Sequence, residues 1–232
     1  MKISERQGEI LNRIVQEYVE LAEPVSSQLL EKKYDFSVCP ATIRIEMQKL
    51  TEKGFLSQPH TSAGRIPTDK GYRFFVDELL KKELEDLELE NWFTGEIGGT
   101  IKFIQLLTKN LALASQALAL SYFEKENIFW KEGWEEIFKE PEFKKESCLI
   151  NFTGLLESFE KNIKDLKLNS GIKVYIGREN PFKKTEDFSI ISSKCYLPDD
   201  CQTIISLVGP KRMDYDRNIS LINSLIKSLG EI

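Results

Sequence analysis

The sequence predicts an α+β protein in two parts, and three observations carry that expectation. Up to about Leu80, apolar side chains recur at helical spacing between short polar turns. From Ile172 to Gly209 the period changes to two. From Asp214 to Leu229 it returns to the helical value. A chain of 232 residues is long enough for two domains at the usual size of about 150 residues each.

Ser4 and Gln7 have the spacing of a capping box, which starts a first helix. Ile10, Leu11, Ile14, Val15 and Tyr18 continue it to about Leu21, and Glu23-Pro24 breaks it. Ser26 or Ser27 caps a short second helix carrying Leu29 and Leu30. Tyr34 to Ser37 is the turn that follows. Pro40 suits the first position of a third helix, where a missing N–H costs nothing. Ile43, Met47 and Leu50 make its buried stripe, and Ala41, Arg44, Ile45 and Gln48 face outward. Gly54 ends this helix, because it tolerates positive φ. The apolar pair Phe55-Leu56 leads into a small polar loop, Pro59 to Arg65, that ends in a cation. Thr68 caps a fourth helix with Tyr72, Phe75, Val76, Leu79 and Leu80 on its apolar side. A helix with a mixed polar outer face, followed by a cationic loop, is what a winged helix-turn-helix offers to a duplex. Between Pro40 and Arg73 the cations Arg44, Lys49, Lys53, Arg65, Lys70 and Arg73 outnumber Glu46, Glu52 and Asp69.

The second part opens with the charged run Lys81 to Asn91, read as a continuing helix, and a break at Gly95 to Gly99. Ile101 to Leu120 is apolar at helical spacing and reads as a core helix or a partner-binding helix. A strand at 127–131, a short helix at 134–139 and an amphipathic helix from Ser147 or Asn151 to Leu168 follow. Three strands, 172–177, 188–197 and 202–209, suggest an antiparallel meander, closed by the helix 214–229. Helices on one side of these strands give an α+β layer. The expected division is 1–80, a charged helical linker 81–100, and 101–232.

Composition narrows the function classes. Net charge is −5, so basicity must be local. No apolar run reaches the roughly 18 residues of a membrane span. The start of the chain has no signal core, which points to a cytoplasmic protein. Cys39, Cys148, Cys195 and Cys201 form no CxxC pair, and a single histidine argues against zinc. The sequence has no phosphate-cradling glycine motif, so Gly98-Gly99-Thr100 reads as a hinge. His60 lacks a nucleophile partner and reads as a wing-tip contact. The acidic run 83–90 reads as a solvated face, Arg178-Glu179-Asn180 as a salt-bridged turn, and Trp92, Trp130 and Trp134 as core. No acid, base and nucleophile set converges, so neither an enzyme nor a cofactor or metal is expected.

The run PHTSAGRIPTDKGYRFFVDELL at 59–80 closely resembles the signature of the heat-inducible transcription repressor HrcA family of bacteria. ATIRIEMQKLTEKGFL at 41–56, ERQGEIL, EPVSSQLL, IKVYIGRENPF at 172–182 and LVGPKRMDYDRNISLI at 207–222 resemble it too. So does IFWKEGWEEIFKEPEF at 128–143. Two features depart from the pattern: Ile45 stands where the family has asparagine, and Cys39-Pro40 replaces a small hydroxyl-bearing pair. The family is about a hundred residues longer, with an inserted dimerisation domain before the 128–143 block. The resemblance implies that 101–232 is a GAF-like domain trimmed to its later half plus a helix. It also implies a repressor of heat-shock chaperone operons, released on heat stress and supported by a GroEL-type chaperonin. Palindromic sites mirror protein symmetry, so the expected partner is an inverted-repeat operator in double-stranded DNA, bound by a homodimer. The expected DNA-binding set is Ser37, Thr42, Arg44, Ile45, Gln48, Lys49, His60, Thr61, Ser62, Gly64, Arg65, Tyr72 and Arg73. Two other readings stay open: a regulator that answers to a small ligand, and a protein-interaction module that has lost its operator.

Overall fold

In a computed structural model, the structure describes residues 3–82, 84, 86–89, 92, 99–166, 168, 171–182, 186–197 and 202–230. The chain divides into two compact units, 1–82 and 83–232.

In the first unit, α1 (Glu5–Leu21) starts at the expected capping box, with Ser4 and Gln7 bonded reciprocally. Ser26 caps α2 (Ser27–Lys33), and α3 (Pro40–Glu52) follows Cys39, which supplies no side-chain cap. Gly54, at φ 76°, turns the chain out of α3. β1 (Leu56–Ser57) and β2 (Ile66–Pro67) pair antiparallel and carry the wing between them. Thr68 accepts a hydrogen bond from the Gly71 N–H and opens α4 (Asp69–Leu79). Ile10, Leu11, Ile14, Leu30, Ile43, Leu50, Leu56 and Val76 fill the core.

In the second unit, α5 (Thr100–Ser115) precedes the hairpin of β3 (Leu118–Phe123) and β4 (Ile128–Glu132). Then come α6 (Trp134–Lys139), a 3₁₀ turn at Pro141–Lys144 and α7 (Glu146–Asn162). β5 (Lys173–Ile176), β6 (Phe188–Tyr196), β7 (Gln202–Pro210) and α8 (Tyr215–Gly230) complete it. The sheet is antiparallel throughout, in the order β4-β3-β7-β6-β5. The meander β5-β6-β7 is therefore as expected.

Helices cover both faces, not one. Leu118, Leu120, Tyr122, Phe188, Ile190, Ile204 and Val208 pack with Ile137 of α6 and with Phe152, Leu155 and Phe159 of α7. On the opposite face Thr108 of α5 donates to Ser121 (2.7 Å), and Tyr215 of α8 bonds Ser189 (2.6 Å). Alternating residues of each strand point to opposite faces, so each face needs its own cover.

Other expectations need correction. The helix read over 101–120 ends at Ser115; Gln116 takes a left-handed φ of 54° and β3 begins at Leu118. All six residues of β3 are buried, and a strand buried on both faces cannot be told from a buried helix by periodicity. The helix read over 81–91 is also absent: α4 stops at Leu79, and among the described residues Leu84 and 86–89 are not helical. There the Leu87 N–H donates to Ser224 of α8 (2.8 Å), Lys227 pairs with Asp86, and Leu89 is buried. Tertiary contacts with α8 outweigh helix propensity in that run. Most of the acidic run 83–90 is thus described, but Glu83, Glu85 and Glu90 are not, and the break at 95–98 and Cys201 also lie outside the described residues. Trp134 is 36% exposed, and Trp92 and Trp130 are only partly buried, so none is a core residue.

The Arg178 turn is salt-bridged as expected: Arg178 pairs with Glu186 (3.2 Å), and Asn180 donates to the carbonyls of Gly177 and Phe188. Arg212, between β7 and α8, forks onto Glu142 (2.7 and 3.0 Å) and also bonds Glu140. It thereby ties the 207–222 block to the 128–143 block.

Candidate nucleic-acid interface

The reading surface is built from α3. Ile43, Met47 and Leu50 are 4% exposed or less and turn one side of α3 into the core. The helical period then places Ala41, Arg44, Ile45, Gln48 and Lys49 outside, and all five are exposed. Ile45 is 54% exposed, a large apolar side chain in the middle of a polar face. Thr42 is half-buried, its hydroxyl 3.3 Å from the Cys39 thiol. Gln48 donates to Glu52 (3.2 Å). Ser37 is exposed at the approach to α3, in a left-handed conformation (φ 52°), with its N–H bonded to Asp35 (2.8 Å).

Two buried carboxylates fix the angle at which α3 is presented. Glu46 accepts from Gln7 of α1 (2.6 Å) and from Lys49 (3.0 Å), while Gln7 in turn accepts from Lys53 (2.8 Å). Glu17 of α1 accepts from Tyr34 (2.6 Å) and from Lys33 (2.9 and 3.1 Å), which holds the end of α2. Sequence reasoning passed over this network. Its one signal is Glu46, a charge three residues after Ile43 and beside the buried stripe.

The hydrogen bonds from Lys49 and Gln7 hold the Glu46 carboxyl below its usual range. For Glu17, burial pushes the carboxyl up, but the bonds from Tyr34 and Lys33 outweigh it and the net shift is downward. Carboxyls lowered in the folded state stabilise it above their unfolded value, and that stability is lost as pH falls through the folded value. Melting of the first unit is therefore expected to be flat near neutrality and to weaken below a pH of about 4.3. Glu46→Gln should cost roughly 1.5–3 kcal/mol at neutral pH, the worth of hydrogen bonds to a charged group. It should also flatten the acid limb. Circular-dichroism melts from neutral pH to pH 3 measure both, and an unchanged acid limb in this variant would remove Glu46 from the account.

The wing is braced from within. Gln58 donates to the carbonyls of Thr61 (2.9 Å) and Ala63 (3.0 Å), and His60 Nδ1 lies 3.2 Å from the Ser62 hydroxyl. His60, Thr61 and Ser62 are exposed at the tip. Gln58 was not among the expected residues, although an amide facing a polar loop is a sequence-visible turn brace. At the base, Val25 and Arg65 exchange backbone hydrogen bonds of 2.9 and 2.8 Å. Gly64 presses on that bridge: a Cβ there would meet the Val25 carbonyl oxygen at 2.3 Å.

The expected set therefore divides. Gly64 packs against the Val25 bridge, which a side chain there would break. Arg65 is half-buried, its Nε bonded to Thr51 of α3 (3.0 Å), so it pins the wing base to α3. Arg73 lies on α4, where it pairs with Asp77 (3.5 Å). Tyr72 is 2% exposed and belongs to the core, which removes it from any binding surface. Its place on the apolar side of α4 is legible in the sequence, and burial there excludes a contact with DNA.

A family model described as the HrcA protein C terminal domain matches residues 69–219. A heat-inducible transcription repressor HrcA from Thermodesulfovibrio yellowstonii is 30% identical over 339 residues, covering 98% of this chain and 97% of that protein. One from Alkaliphilus metalliredigens is 28% identical over 339 residues, covering 100% and 98%. These alignments are longer than the chain's 232 residues, so the relatives carry an internal stretch with no counterpart here. A crystal structure of a hypothetical protein superposes with a TM-score of 0.84 at 24% identity, covering 99% of this chain and 98% of that one, a likeness of fold.

Proposed function

Since the chain belongs to the HrcA family of heat-inducible transcription repressors, we propose that it is a repressor that reads duplex DNA through α3. The observation that carries this is the outward face of α3, Arg44-Ile45-Gln48-Lys49, set at a fixed angle beside a braced wing. Arg44 makes a bidentate contact to guanine, and Ile45 offers an apolar surface to a thymine methyl. Ser37, Thr42, Gln48 and Lys49 contact the flanking backbone and base edges. His60, Thr61 and Ser62 reach the duplex from the wing, and Arg65 and Arg73 meet phosphates. The site is an inverted repeat bound by a homodimer, upstream of heat-shock chaperone genes, in the cytoplasm. A GroEL-type chaperonin keeps the repressor active, and heat releases it. Among the described residues no helix is long and apolar enough to cross a membrane.

The test is selection of bound duplexes from a random pool at moderate salt. An enriched inverted repeat supports the proposal, and recovery of no sequence at low salt refutes it. On the selected site, Arg44→Ala is expected to lose roughly 1–3 kcal/mol of discrimination at one guanine per half-site. Ile45→Asn should move preference from thymine toward adenine at the neighbouring position. The ratio of cognate to singly substituted duplex affinities at fixed salt measures both. Uniform loss across all sequences would remove α3 as the reader.

A further inference from the structure

We infer that Arg6, Lys53 and Lys70 join Lys49 in a second phosphate clamp, on the flank of α3 opposite the wing. The first unit would then hold both walls of the groove that α3 reads. The inference rests on the repressor reading proposed above and adds residues to its contact surface.

Residues two apart on a helix point about 160° away from each other. Thr51 takes the Arg65 bond, so its flank of α3 is the wing's. Lys49 and Lys53, two residues to either side of Thr51, therefore stand on the other flank, next to Gln7 of α1. The outward set Ala41, Arg44, Ile45 and Gln48 lies between the two flanks. A major groove is about 12 Å wide, and its two walls are the two phosphate backbones. A helix with its side chains is about 10–12 Å across, so one seated there has a backbone along each flank. The wing answers one of them.

The other flank holds its cations in place. Lys49 Nζ lies 3.0 Å from Glu46 and keeps half of its side chain in water. Lys53 donates to Gln7 Oε1 (2.8 Å). Lys70 of α4 donates to the Lys53 carbonyl (2.7 Å), with its Nζ 4.2 Å from the centre of the Phe55 ring. Arg6 is exposed in the first turn of α1. Its charge adds to the Lys49 and Gln7 hydrogen bonds that hold the Glu46 carboxyl low. The Gln7 amide and the Lys53 carbonyl are neutral, so their bonds position an ammonium without cancelling its charge. An ammonium carries three donors, and one held oxygen does not use it up.

The carboxylates nearby leave the cluster cationic. Glu46 has 7% of its side chain in water and lies beneath Lys49 and Gln7. Glu5 and Glu9, two residues to either side of Gln7, project from the far side of α1. Glu52 accepts from Gln48, and Asp69 stands in the first turn of α4, where a carboxylate answers the helix N-terminus. Arg6, Lys49, Lys53 and Lys70 outnumber Glu46, Glu52 and Asp69. Pre-positioned lysines are compact point charges, which suits a backbone phosphate and not a base edge.

The experiment measures duplex binding by the full chain over a series of salt concentrations, on the selected site and on an unrelated duplex. Arg6→Gln and Lys70→Met are the variants, because both leave the hydrogen bonds to Glu46 in place, and helical content is checked for each. Each should lower the slope of log affinity against log salt by about 0.9, and the double variant by about twice that. Affinity should fall by the same factor on both duplexes, and Arg6→Lys should keep the full slope. Phosphate ethylation supplies a readout that a merely structural role would not move. Ethylated phosphates on the backbone facing this flank should block the unaltered protein and cease to block Arg6→Gln, while those facing the wing block both. An unchanged slope in the double variant overturns the clamp, and so does a loss confined to the selected site. If the unaltered protein binds no duplex at low salt, the repressor reading is refuted and the clamp falls with it. Normal binding with an unchanged slope refutes the clamp alone.

Discussion

Gly64→Ala is expected to remove most duplex affinity and to loosen the wing, although it adds a single methyl group. The added Cβ would lie 2.3 Å from the Val25 carbonyl oxygen, 2.4 Å from its carbon and 2.7 Å from the Pro24 oxygen. All three are backbone atoms, so no side chain can swing aside. The paired hydrogen bonds between Val25 and Arg65 must open instead, and with them the Arg65–Thr51 bond that holds the wing base to α3. Overpacking against an unyielding neighbour costs on the order of 3 kcal/mol. A displaced wing also misplaces His60, Thr61 and Ser62. The expected record is a lower melting midpoint, normal helical content, and affinity reduced on cognate and non-cognate duplexes alike. Unchanged affinity and melting would show that the wing is not locked to the Pro24-Val25 segment.

Arg212→Met should markedly destabilise the second unit. Arg212 is 9% exposed, and its guanidinium answers both Glu140 and Glu142. Burial pushes this guanidinium toward losing its proton, but the two carboxylates reverse that and hold it more firmly charged than usual. Removing one partner of a buried pair costs about 3–5 kcal/mol. The two glutamates keep 25% and 30% of their side-chain surface in water, so about 2–3 kcal/mol is expected here. The loss should concentrate between Trp134 and Lys145, where amide hydrogen exchange should accelerate before the sheet opens. Adding Glu140→Gln and Glu142→Gln to Arg212→Met should recover most of the stability, since no uncompensated charge is then left. Should the triple variant be as weak as the single one, the packing of the arginine stem, and not its charge, holds the segment.

The first unit was legible nearly residue by residue because its signals are local. Ser4-Gln7, Ser26, Pro40, Gly54 and Thr68 each act within one turn of chain. The buried stripe of α3 follows from spacing alone, and so does its outward set, Ala41, Arg44, Ile45 and Gln48. The strands β5, β6 and β7 were legible for a similar reason, since turn residues bound each of them. By itself, then, the sequence determined the helices and wing of the first unit, the meander of the second, and the family.

What it left open was decided by contacts between residues far apart in the chain. β3 is buried on both faces, so it has no alternation to betray a strand, and it was absorbed into the helix before it. The 81–91 run has helical composition, yet α8, more than a hundred positions later, holds Leu87 and Asp86 out of a helix. Gly64 and Arg65 read as wing contacts, and only the approach of Val25 and Thr51 shows that they also join the wing to the body. Local rules set which conformations a segment can adopt, but burial and hydrogen-bond pairing across the fold choose among them.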